Sequence, residues 1–174
     1  MQFRTLFQCV LGLAAAAVLP LAAQQTGQLK VKASPSRAGI FLDGKYIGPA
    51  GNFGFARKYT VPAGEHELKL SEPRCEDVTK RITIEAGKTT TISETLPRLP
   101  IPKGPFGVLK TGQPDKYAPV FVNGKYMGHA DEFDFGAQGL LLQPGEYTVR
   151  IEPRSGAVIE KKVTIEAGKT TDVR

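Results

Sequence analysis

The sequence contains no tryptophan, and only two cysteines, two histidines and two methionines among its 174 residues. Each scarcity removes an explanation. His66, His129 and Cys75 are too few and too scattered for a zinc site, which needs roughly three or four clustered ligands. Cys9 lies in an amino-terminal apolar stretch, so the rest of the chain holds Cys75 alone and no intramolecular disulfide. Cys75 stands in a polar loop, either as a reduced thiol or as half of a bridge between chains. Also missing is any uninterrupted apolar run of the ~20 residues a membrane span needs. No segment keeps a helical period over three turns. The net charge of +6 is spread among acidic neighbours. Without a basic stripe interleaved with stacking aromatics, nucleic acid is excluded as a partner.

What is present begins with a leader. Arg4 precedes "CVLGLAAAAVLPLAA" (9–23), a short apolar stretch broken by Pro20 and ending in small residues. That layout predicts a secretory signal peptide over 1–23, cleaved after Ala23, with no transmembrane span left afterwards. Export without disulfides fits an extracytoplasmic protein of a bacterium, periplasmic or at the cell surface, better than a small disulfide scaffold.

The remainder says most things twice. "ITIEAGKTT" (82–90) returns as "VTIEAGKTT" (163–171), "AGIFLDGKYIG" (38–48) as "APVFVNGKYMG" (118–128), and "VPAGEHELKL" (61–70) as "LQPGEYTVRI" (142–151). Between the copies, "LPRLPIPKGP" (96–105) carries four prolines, which cannot donate to a sheet and favour an extended joint. The expected organisation is a first module at 27–97, a linker at 98–104 and a second module at 105–174. Such a joint predicts modules that unfold largely separately.

Each module reads as all-β. Leu29 and Val31 alternate with Lys30 and Lys32, and His66, Leu68 and Leu70 share one strand face, as Tyr147, Val149 and Ile151 do. Asp43-Gly44 and Asn123-Gly124 signal hairpins, because both central residues of the favoured turn need positive φ. "IEAGKTT" ends in part of the phosphate-binding loop pattern. The glycine which that loop needs five residues earlier is replaced by Ile82 and Val163, and no helix pattern follows. The phrase reads instead as strand, glycine turn and returning strand, a hairpin with exposed Lys88 and Lys169. Six or seven short strands in about 70 residues predict two tandem small β-sandwiches.

The run "ASPSRAGIFLDGKYIG", then "VPAGEHELKL", then "ITIEAGKTTTISETL" resembles the PEGA domain, a β-sandwich module of bacterial extracytoplasmic proteins, and the resemblance recurs in the second copy. It departs from that family after Gly48, where Thr-Pro gives way to "PAGNFGFARKY". The resemblance implies an envelope interaction or spacer unit and carries over no catalytic residues.

No catalytic constellation is expected, since neither histidine recurs in the other module or stands beside a nucleophile. Asp131, Glu132 and Asp134 read as a solvated acidic loop, short of the about 6–8 oxygens calcium takes. No metal or cofactor is expected. Phe53, Phe55, Phe133 and Phe135 read as core. The candidate binding residues are Tyr46 with Lys45 and Tyr126 with Lys125, whose rings beside a turn suit stacking on sugars or anchoring a protein. The expected function is a non-enzymatic exported interaction or spacer module, with an envelope protein or cell-wall polysaccharide as partner. The alternative is a carbohydrate-binding protein that uses the hairpin aromatics.

Overall fold

The computed structural model describes residues 25–52, 55–134 and 136–174. The expected signal peptide, Phe53 and Phe135 lie outside those residues. The first module contains β1 (Thr26–Ser34), β2 (Gly39–Leu42), β3 (Lys45–Pro49), β4 (Gly51–Asn52), β5 (Phe55–Ala56), β6 (Lys58–Pro62), β7 (Gly64–Ser71), β8 (Val78–Ile84) and β9 (Thr89–Thr95). The second contains β10 (Gly107–Thr111), β11 (Pro119–Val122), β12 (Lys125–His129), a 3-10 turn (Ala130–Glu132), β13 (Leu140–Leu142), β14 (Gly145–Ile151), β15 (Ile159–Ile165) and β16 (Thr170–Val173). The protein is all-β, and each module is a sandwich of two small sheets.

The sheet orders match. In the first module β3-β2-β7-β8 faces β6-β1-β9, and in the second β12-β11-β14-β15 faces β13-β10-β16. The two-residue periods explain the faces. Leu29 and Val31 of β1 meet Ile40, Leu68, Leu70 and Ile84 in one core, sealed by Leu96. Leu109, Val120, Val149, Ile151, Ile165 and Val173 build the other.

The repeated "IEAGKTT" is not a hairpin. β8 and β9 belong to different sheets, and β9 pairs with β1 in parallel. The phrase is a corner that carries the chain from one sheet to the other. Gly87 (φ +70°) and Gly168 (φ +69°) supply the left-handed residue such a turn needs. The corner is fastened to the incoming strand by Gly87 N–H to the Thr26 carbonyl (2.9 Å) and Gln28 N–H to the Lys88 carbonyl (2.8 Å). The second corner repeats both bonds through Phe106 and Val108.

The Asp-Gly and Asn-Gly turns are hairpins as expected, with Asp43 and Asn123 at φ +50° and +49°. Each hairpin also has a bulge, after Ile40 and after Val120. One residue of β3 and of β12 is left over there, which sets Phe41 opposite Tyr46 and Phe121 opposite Tyr126 on the outer face.

The proline joint is tied down at both ends. Glu76 N–H bonds the Pro97 carbonyl and Leu99 N–H the Arg74 carbonyl, both at 2.8 Å, while Gln143 reaches the Lys103 carbonyl at 3.1 Å. Cys75 is buried beneath this strap.

Candidate functional site at the junction of the modules

The outer faces of the two bulged hairpins meet. In "GIFL" and "PVFV" the first and third apolar neighbours point into the cores, so Phe41 and Phe121 must point out. Their rings lie edge to face with centroids 6.3 Å apart, and Tyr126 stands edge-on to both, at 5.7 and 6.0 Å. Tyr46 stacks on Tyr126 at 5.5 Å. The Tyr126 ring lies across Gly39, where an added Cβ would come within 2.7 Å of it. Glycine is required there by close approach, while the duplicate position is Pro119.

His129 closes the cluster. Its Nδ1–H donates to Glu132 Oε1 at 3.0 Å, leaving the one Nε2 lone pair to accept from the Tyr46 hydroxyl, with the Tyr126 hydroxyl 3.1 Å away. Glu132 Oε2 also accepts from Arg37 of the first module at 2.9 Å. Burial alone would raise the Glu132 pKa, but the hydrogen bonds from His129 and Arg37 outweigh it and hold it below the ordinary value. Burial pushes both tyrosine hydroxyls well above the usual phenol range. Arg57 lies over the Tyr117 ring at 5.1 Å, and Lys125 Nζ donates to the Pro73 carbonyl at 3.3 Å.

Of the candidate binding residues, Tyr126 is 3% exposed and Tyr46 partly buried, and each ring faces the other module. Lys125 spans the junction, and Lys45 remains exposed. The rings are therefore committed to each other in this arrangement, which the hairpin sequences alone did not indicate. Reading the sequence missed Phe41, Phe121, Gly39, Arg37 and His129 as junction residues. One signal was there: a phenylalanine at the outward position of β2 and again of β11.

Beside the aromatic cluster the two modules leave a cleft of about 1030 Å³, bordered by Tyr46, Tyr117, Arg57, Lys69, Arg150 and Arg154. Lys69, Arg150 and Arg154 are already paired with Asp77, Glu152 and Asp115. His66 sits elsewhere, with Nδ1 2.6 Å from Asp43 Oδ2 and Nε2 3.0 Å from the Pro62 carbonyl. Both partners accept, so both ring nitrogens are occupied as donors. The bond to Asp43 chiefly raises the His66 pKa and lowers that of Asp43. Phe133 is buried as expected. No group of His, Cys, Asp or Glu among the described residues could hold a metal ion.

The fold and this junction define an all-β protein of two sandwich modules, and no helix among the described residues is long and apolar enough to cross a membrane. The PEGA domain family model matches residues 26–100, which span the first module, and PEGA domains occur in extracytoplasmic proteins. No curated protein matches the chain. Among solved structures, the chain is similar to the Bacillus anthracis TIE protein, at 16% identity and a TM-score of 0.32. That likeness covers 86% of this chain and 33% of the other, so the chain spans about a third of its length.

Proposed function

We propose that the protein is a non-enzymatic, exported unit of the bacterial envelope or cell surface, built from two PEGA-like domains and acting as an interaction module or spacer of fixed geometry. The carrying observation is the aromatic junction. Two modules joined by a flexible tether present their surfaces independently, whereas two modules sharing Phe41, Tyr46, Phe121, Tyr126 and His129 present them in one orientation. The identical sheet order supports counting the second module as PEGA-like. The non-enzymatic reading is supported by the histidines, whose ring nitrogens are taken up by carbonyl, carboxylate and phenol partners with no adjacent nucleophile. A tagged full-length chain expressed in a bacterial host tests the export. The expected result is an extracytoplasmic protein whose intact mass lacks residues 1–23, and Met1 retained on cytoplasmic protein overturns it.

The second reading, a carbohydrate-binding protein, is favoured by the cleft beside Tyr46 and Tyr117. Calorimetric titration with neutral envelope oligosaccharides should then give binding that Tyr117→Ala removes.

A further inference from the structure

The outer face of the β6-β1-β9 sheet carries three lysines that nothing in the fold accounts for. Lys30 and Lys32 project outward between the core residues Leu29, Val31 and Ala33, and Lys58 is the cross-strand partner of Lys30. Like charges directly opposite one another in a sheet are destabilising. Among the described residues none of the three has an ion-pair partner, while Lys69, Lys80, Lys88 and Lys169 each have one.

The strand neighbours of these lysines are polar. Thr91 and Ser93 of β9 stand beside Lys30 and Lys32 in register, and Gln28 and Thr60 continue the face. Lys30 and Lys32 also border a shallow trough of about 370 Å³, walled on its other side by Ser36, Ala50, Gly51 and Ala56. The second module is a built-in comparison. Its matching face carries Val108 opposite Leu141, and Lys110 opposite Asp172. Lys110 is held by the carbonyls of Asp134 and Ala137. The fold therefore does not call for three free cations here.

We infer that this face of the first module binds an anionic glycan, a chain of sugars bearing carboxylate or phosphate groups. Lysines two residues apart on one strand stand roughly 7 Å from each other, so the row meets repeated anions rather than a single one. The hydroxyls of Thr91 and Ser93 lie where sugar hydroxyls would pass. An anionic membrane is disfavoured because the described side chains of this face beside the lysines are Gln28, Thr60, Thr91 and Ser93, none of them a large apolar group to enter it. The inference deepens the interaction role proposed above and rests on export only for where the glycan would be met.

The test uses residues 25–174 with polygalacturonate, neutral dextran and phosphatidylglycerol vesicles as probes. Polygalacturonate should bind, weaken steeply with salt, and lose about tenfold or more in affinity in the Lys30→Gln/Lys32→Gln/Lys58→Gln variant. A control variant, Lys103→Gln/Lys116→Gln/Lys162→Gln, removes equal charge from other exposed sites and should lose about twofold at most. Equal losses in the two variants, no polygalacturonate binding, or tighter binding to the vesicles would each overturn the inference. Without polymer, Lys58→Gln should leave the melting temperature unchanged or raised, and a fall would make the lysine structural instead. Export measured separately is untouched by these variants, so the two readings fail independently.

Discussion

Gly87 and Lys88 stand side by side in the repeated phrase and do different work. Gly87 needs its positive φ, and an added Cβ there would meet nothing within 4 Å, so any penalty comes from the backbone alone. Gly87→Val should cost about 1–2 kcal/mol in thermal melts. Lys88→Ala should leave the melt nearly unchanged, since its ion pair with Glu85 is exposed on both sides. A larger loss from the lysine would make the phrase a binding motif. His66 adds a pH dependence. Its folded pKa lies above the ordinary 6.5, so its contribution is complete below about pH 6.5 and is lost as pH rises through the folded value. Melts across that range should fall in the native chain and flatten in His66→Gln.

At the scale of elements, the corner explains two glycines that sequence patterning passed over. A Cβ on Gly27 would run into the Glu85 carbonyl, and one on Gly107 into the Glu166 carbonyl, because each first strand begins against its own corner. Gly27→Ala should therefore destabilise by about 1–3 kcal/mol, through overpacking against a backbone that cannot swing away. Urea titration of the variant measures it. Alternation made the strands legible, and Asp-Gly and Asn-Gly made the hairpins legible. What misled was the "IEAGKTT" turn: a glycine turn between two strands looks the same whether the strands pair with each other or part into two sheets. The partner of β9 is β1, some sixty residues earlier in the chain, and local pattern does not record that choice.

At the scale of the molecule, the junction packs the two repeats against each other, so coupled unfolding is expected in place of the separate unfolding that a proline joint suggests. Tyr126→Ala removes the ring that touches Phe41, Tyr46 and Gly39, and should cost on the order of 3 kcal/mol. Calorimetry should show one transition for the native chain and two for this variant. Acid should act at the same place. Glu132 has a folded pKa below the ordinary 4.5, so its contribution is present above that value and lost as pH falls through the folded one. The coupling should weaken in that window, and Glu132→Gln should remove the dependence.

Period-two strands, positive-φ turns and the all-β class are legible in the chain because each depends on residues close together in it, and the duplication is legible because the same words recur. Only tertiary packing set which sheet each strand joined and brought the Tyr46 and Tyr126 rings together. Phe41 projecting from β2 is an exposed aromatic until Phe121 and Tyr126 of the other module cover it. Burial of an outward face depends on what lies opposite, and that partner sits about eighty residues away.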